Sequence, residues 1–382
     1  MSSRLVIVGG FLGAGKTTLI LRVAQMLRAQ GISPAIITND QGNDLVDTAQ
    51  ATLRGIPVAE VPAGCFCCRF DALITAAGRL EQEASPQVIL AEPVGSCTDL
   101  AATVVLPLER MYQTRFTLAP LTIAADARRL LDFVRQDGMR ALHDDITYLF
   151  AKQIEEAELL LLNKCDLLPV PGLTFLRNWL LAYLPGVQVL PVSGRTGEGL
   201  AAWVERFLDP PTSQAQPHQV LDLDYTRYGR AEARLGWLNA SGILGGDAAA
   251  LAQDWADGVL AALVTGLEAA ALPIAHVKLM LEQATDGEFD QAIKASVTGP
   301  APAVISWDTR DTALNATGTR WILNARVDTS PDRLEKLVDT ILGRTYAGIQ
   351  AIIETHTCFQ PAPPQPQHRY PAGATPPIFG IE

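Results

Sequence analysis

Nothing in the 382-residue sequence approaches the ~18 consecutive apolar residues of a membrane-spanning helix, so no membrane segment is expected. Lysine and arginine never gather into a run. Asp plus Glu number 41 and Lys plus Arg 30, a net charge of −11. Such a chain repels phosphate backbones and anionic lipid, which argues against nucleic-acid or membrane-surface partners. Histidine is scarce, with five scattered positions, so there is no His-rich metal store. Charged residues make up only 19% against 48% hydrophobic ones, too apolar a balance for a disordered chain. No internal repeat is visible.

What is present divides in two. Arg4-Leu-Val-Ile-Val8 is a short apolar run ending in Gly9-Gly10, which suits a buried parallel strand. Because a Gly-rich loop follows where a leader peptide needs a cleavage site, the start reads as a first strand and the chain as cytoplasmic. Leu19, Ile20, Val23 and Leu27 then recur at helical spacing up to Gly31. Further strands are expected at 34–38, 88–91, 121–125, 159–162 and 187–192, mostly with helices between them. That alternation predicts an α/β domain with a mostly parallel sheet over 1–209, and the glycine-rich motif Gly10–Thr17 that follows its first strand makes it of P-loop NTPase type. Residues 210–219, rich in Pro and small polar residues, read as a linker. A smaller α+β domain is expected over 220–356, with strands near 232–244, 274–281, 301–307 and 320–328. Its helices are expected at 247–270 and from Ser330-Pro331 to Gly343. Seven prolines in the last 22 residues mark 357–382 as a disordered or surface-draped tail.

Six motifs carry chemistry. Gly10-Phe-Leu-Gly13-Ala14-Gly15-Lys16-Thr17 matches G-x-x-x-x-G-K-[ST]. Its backbone N–H groups, with Ala14 and Thr18 among them, would cradle phosphates. Lys16 would reach the β and γ phosphates, and the Thr17 hydroxyl would ligate Mg²⁺. Asn163-Lys164-Cys165-Asp166 is the N-K-x-D pattern of guanine readers: Asp166 accepts from the base, Asn163 reaches its edge and the Lys164 stem packs on it. The loop Ser193–Gly199 would touch the same base through its backbone. Glu92, at a strand end, is a Mg²⁺-side carboxylate, and Gly95 would bring an N–H near the γ-phosphate. Cys65, Cys67 and Cys68 are three soft ligands within four positions, suited to a thiophilic ion. Their incomplete shell suits transfer better than permanent structure. The polar loop after the second strand holds Asp40, a candidate metal-site acid that would move with the nucleotide, and Gln41, a candidate for positioning water. Cys97, Cys165 and Cys358 read as lone thiols, with a place near the metal as the alternative for Cys97, five residues past Glu92.

Together, Gly9–Thr18, Cys65–Cys68, Glu92-Pro-Val-Gly95 and Asn163–Asp166 resemble the CobW-type P-loop GTPases, kin to the nickel-insertion GTPases of hydrogenase and urease maturation. The resemblance spans residues 1 to about 205. It implies a slow GTPase that uses GTP and Mg²⁺ and carries a transition metal at the C-x-C-C. The metal would pass to a client metalloprotein or a cofactor-synthesis enzyme, and a homodimer across the nucleotide face is open by analogy. Cysteine ligation favours Zn²⁺, with Co²⁺ and Ni²⁺ as alternatives. Two departures stand out: Asn39-Asp40-Gln41-Gly42 replaces the usual Asn-Glu-Phe-Gly, and the Arg-x-Lys-Gly-x-x-Trp stretch is missing, with His276-Val277-Lys278 nearest to it. Two other readings remain: a GTP-switched assembly factor with structural cysteines, and an ATP-dependent small-molecule kinase.

Overall fold

A computed structural model describes residues 2–39, 54–62, 64–135, 142–209, 218, 220–246, 250–285, 288–298, 303–308 and 313–371. Two sheets organise the chain. The first is parallel, in the order β3-β2-β4-β1-β6-β7-β8, with β5 also paired to β1. Its strands are β1 (Ser3–Gly9), β2 (Pro34–Asn39), β3 (Val58–Val61), β4 (Val88–Glu92), β5 (Phe116–Leu118), β6 (Thr122–Asp126), β7 (Leu159–Asn163) and β8 (Gln188–Pro191). Strands β2, β4, β6 and β7 are buried along their whole length, as continuous apolar runs covered on both faces must be. Helices α1 (Lys16–Ala29), α2 (Phe70–Ala84), α3 (Leu106–Tyr112), α4 (Ala127–Arg135), α5 (Asp144–Glu155), α6 (Val170–Tyr183) and α7 (Leu200–Leu208) supply the connections. The P-loop NTPase-type expectation is thus met. Strands β3 and β5 were not anticipated, being only four and three residues long.

The second sheet is antiparallel, in the order β12-β11-β10-β13-β9-β14. Helix α8 (Tyr225–Arg234) leads into β9 (Leu235–Gly245), followed by α9 (Ala252–Ala269), β10 (Ile274–Thr285), β11 (Glu288–Thr298), β12 (Val304–Trp307), β13 (Thr319–Asp328), α10 (Pro331–Leu342) and β14 (Gln350–Phe359). One face is apolar: Val277, Leu279, Ile293, Val297, Trp321 and Leu323 pack with residues of α9 and α10 such as Trp255, Val259, Leu334 and Val338. The opposite face carries His276, Lys278, Ser296, Thr298 and Arg326 and turns toward the first domain. Strands β11 and β14 also escaped the sequence reading. β11 places polar residues at every second position of its described face. β14 is a mostly exposed edge strand with polar Glu354 and His356 on it. Strand β14 runs to Phe359, past the 356/357 boundary expected for the tail.

Beyond β14, residues 360–371 lie along the first domain as a strap. The Gln367 N–H donates to the Cys67 carbonyl (2.9 Å), and the Tyr370 N–H to that of Ala102 (3.0 Å). Arg369 pairs with buried Asp99 at 2.7 Å. The His368 ring stands edge-on to Phe70, and Arg110 lies over Tyr370.

Candidate nucleotide and metal site

Between β1 and α1 the chain turns through Gly10, Gly13 and Gly15 at φ 126°, 77° and 87°, a region that favours glycine. Side chains would also not fit there. A Cβ at Gly10 would run into the Ala124 carbonyl, and one at Gly15 into the Asn163 amide. The loop therefore hugs β6 and β7 and aims the N-terminus of α1 into a cavity of about 390 Å³. Lys16, buried, donates to the Gly10 carbonyl at 2.9 Å and stands 3.7 Å from Glu92. The Thr17 hydroxyl donates to Glu92 Oε1 at 3.1 Å. A hydroxyl and a carboxylate side by side at the mouth of a phosphate cradle are hard oxygen donors that fit Mg²⁺. Thr18 lines the same cavity.

Asn163, Lys164, Asp166 and Ser193 gather at its other end. The Asn163 amide nitrogen donates to the Ala14 carbonyl (2.7 Å), and its oxygen accepts from the Gly194 N–H (3.0 Å). The two ends of this carboxamide thus brace two loops, those of the phosphate cradle and of Ser193. Lys164, itself at φ 63°, pairs with Asp126 at 2.7 Å. Burial works against the Asp126 charge, but Lys164 and Arg129 hold its carboxyl below the usual range. Arg195 pairs with Asp166 at 2.7 Å and holds that carboxylate in place. The Ser193 hydroxyl accepts from the Thr196 N–H at 3.0 Å, closing the loop on itself.

The second domain forms the rest of the wall. Thr298 accepts from Lys164 (3.2 Å), and a Cβ at Gly13 would come within 2.7 Å of its methyl carbon. Arg129 spans the junction, donating to the Leu12 carbonyl (2.7 Å) and the Ala275 carbonyl (3.0 Å). His276 is half-buried among cations. Burial first, then Lys278, Lys164, Lys16 and Lys294, drive its pKa far down, so the ring is neutral. A concentration of positive charge in so acidic a chain suits a polyphosphate. The sequence reading found only His276 and Lys278 here, and only as a weak echo of a missing motif. The alternation of Lys294, Ser296 and Thr298 was the signal that could have found the rest.

The cysteines lie on the other side of β4. Cys65, Cys67 and Cys68 keep their sulfurs within 4.8 Å of one another, with separations of 2.7, 3.2 and 3.7 Å. Cys65 and Cys67 are buried and Cys68 is half-buried. The strap covers Cys68, whose sulfur accepts from the Gln365 N–H at 3.1 Å. Three clustered sulfurs fit a thiophilic ion. Cys97, read from the sequence as a lone thiol, is buried with its sulfur 3.9 Å from that of Cys67. Contact with Cys65 and Cys67 pulls the Cys97 thiol below its usual range and pushes the thiols of Cys65 and Cys67 up. Cys165 is buried and Cys358 lies on β14, neither in this cluster. Asp40 and Gln41 fall outside the described residues.

Two links join the sites. Asn39, at the end of β2, donates to the Val61 (2.7 Å) and Gly64 (2.5 Å) carbonyls and accepts from the Val94 N–H (3.3 Å). Gln153 of α5 donates to the Gly95 (3.0 Å) and Cys97 (2.8 Å) carbonyls. Leu12 of the P-loop lies against Gly95. The turn from Glu92 to Cys97 therefore touches the phosphate cradle at one end and the sulfurs at the other.

This is a P-loop nucleotide-binding domain fused to an antiparallel sheet that helps to close its pocket. Residues 4–190, just under half of the chain, match the family model described as "CobW/HypB/UreG, nucleotide-binding domain". The chain is similar to a protein named zinc chaperone CobW from Sinorhizobium, with 31% identity over 45% of this chain and 53% of that one. It is also similar to the hydrogenase maturation factor HypB of Azotobacter vinelandii, with 29% identity over 51% and 57%. The zinc chaperone YeiR of Escherichia coli matches with 29% identity over 46% and 51%. The chain thus spans about half the length of these relatives. Among solved structures, nickel-bound HypB from Helicobacter pylori aligns at TM-score 0.40 and 13% identity, over 58% of this chain and 92% of that one. No described helix is long and apolar enough to cross a membrane.

Proposed function

We propose that the protein is a GTPase metallochaperone: it binds GTP with Mg²⁺ at the P-loop and a transition metal, Zn²⁺ first, at the cysteines, and hands the metal to a client. The observation that carries this reading is the turn from Glu92 to Cys97, one short segment shared by the two sites. In this reading Lys16 and the P-loop amides orient the β and γ phosphates, and Thr17 and Glu92 hold Mg²⁺. The ion, when bound, would neutralise charge on the phosphate oxygens. Asp166 would select guanine, with Lys164 packing on the base. Lys278 and Lys294 would add positive charge from the second domain. Loss of the γ-phosphate would shift Leu12 and Gly95, and through Asn39 and Gln153 alter the backbone that carries Cys65 and Cys97. The client would be a metalloprotein or a cofactor-synthesis enzyme.

Competition titration of Zn²⁺ and Co²⁺ with Mg-GTP, with Mg-GDP and without nucleotide tests this. We expect at least tenfold tighter metal binding in one nucleotide state. Equal affinity in all three would overturn it. A second reading, a GTP-switched assembly factor with a structural metal, draws on the nearness of Cys97, because four protein ligands suit a permanent site. Nucleotide-independent metal with GTP-dependent capture of a partner would favour it.

A further inference from the structure

The C-x-C-C motif supplies three sulfurs, and a tetrahedral ion wants four ligands. The fourth position is usually sought in water, in a nucleotide or in a mobile acid. Here a fourth sulfur, that of Cys97, stands next to one of the three, Cys67, just outside the tight group they form. Cys97 is 1% exposed, and its sulfur lies 3.9 Å from that of Cys67. Sulfurs held at ~2.3 Å by one tetrahedral ion sit roughly 3.8 Å apart. The Cys67–Cys97 (3.9 Å) and Cys67–Cys68 (3.7 Å) edges have that length, and Cys65, at 2.7 and 3.2 Å from Cys67 and Cys68, would move outward on binding. Cys97 is buried in the protein interior, whereas Cys68 is half-buried and met by the strap. Its backbone is held too: the N–H bonds to the Val94 carbonyl at 2.9 Å, and the carbonyl accepts from Gln153.

We infer that Cys97 is a metal ligand, completing with Cys65, Cys67 and Cys68 a four-sulfur site for a thiophilic divalent ion. The inference rests on the metal-binding half of the function proposed above, but not on delivery to a client. It changes the chemistry of that half. Four thiolates favour Zn²⁺ or Cd²⁺ over Ni²⁺, which does better with nitrogen or oxygen donors in a tetragonal field. The fourth sulfur is also borne by the segment that begins at Glu92. One ligand is thereby tied directly to the phosphate side, while the other three sit on the loop before α2.

The test counts sulfurs. X-ray absorption on the zinc-loaded full-length wild-type chain should show four Zn–S distances. The Co²⁺-loaded chain should show the charge-transfer intensity of four thiolates, falling by about a quarter in Cys97→Ser, with at least a tenfold loss of affinity by competition. Cys165→Ser, another buried thiol, should change neither. Three sulfurs plus a lighter atom in the wild-type chain would overturn the inference while leaving the metal site standing. A wild-type chain that binds neither Zn²⁺ nor Co²⁺ would overturn the inference and the metal reading together. The X-ray count needs no variant, so it stands even if Cys97→Ser fails to fold.

Discussion

The two sheets carry their functional groups in different ways. In the parallel sheet the strands are apolar along their length, and the polar groups come at their ends: Gly10 after β1, Asn39 at the end of β2, Glu92 of β4, Asp126 of β6 and Asn163 of β7. Each sits at the carboxyl edge, where doubly wound sheets bind ligands. In the antiparallel sheet the polar groups run along one face, as Lys278, Ser296, Thr298 and Arg326 do, while the opposite face holds the core. A sheet covered on both faces has only its edge to offer a ligand. A sheet covered on one face has its other face free for one. The cavity is the place where this edge meets this face.

Substitutions can break that comparison. The largest effect is expected at the edge. Lys16→Ala removes the cation of the phosphate cradle, at roughly 2–3 kcal/mol for a charged hydrogen bond. GTP affinity should then fall on the order of 100-fold by calorimetry. Asp166→Ala should cost roughly tenfold in GTP affinity and erase the preference over ATP, because the acceptor that adenine cannot satisfy is gone. An unchanged GTP-to-ATP ratio would revive the kinase reading.

A smaller effect is expected on the face. Lys278→Ala should weaken Mg-GTP by about threefold, and less so at high salt, since a partly screened charge contributes little more than 1 kcal/mol. No change at low salt would make the second sheet a passive cover. Away from both sheets, at His218, no effect on nucleotide affinity is expected, and the change is one of stability. Burial opposes its charge, but Glu109 and Glu158 hold the ring protonated up to about 10. Its folded pKa is raised, so the stabilisation is full below the unfolded value near ~6.5 and fades as pH rises through about 10. Melting temperatures of the wild type and His218→Ala should therefore differ most near pH 6 and converge above pH 10. A constant gap would point to packing instead of charge.

The parallel sheet was legible because its strands are short apolar runs separated by helical periodicity, and its cradle and base-reading loops are spelled out in consecutive residues. Less was legible where neighbours come from afar. Asn163 was recognised from its motif, yet the role it plays is set by Ala14 and Gly194, each on a different loop. Strand β11 was not expected from the sequence, and its polar face, with Ser296 and Thr298, meets the first domain. Cys97 stands thirty positions from Cys67, and its place five residues past Glu92 is the one hint in the sequence that it lies near the metal; the fold of β4 and the following turn brings the sulfurs to 3.9 Å. The prolines after Phe359 suggested a tail free of the core or draped on it. The hydrogen bonds of Gln365 and Gln367 now place that segment over the cysteines.

Local order, then, was the sequence's own. The P-loop, the N-K-x-D turn and the three-cysteine loop each depend on residues within a few positions of one another, where backbone conformation and spacing alone settle the geometry. Which groups meet across the cavity, which fourth sulfur approaches the other three and what covers them were decided by tertiary structure. Those contacts arise when apolar faces far apart in the chain are buried against each other, and the polar residues on the reverse of those faces are carried along with them.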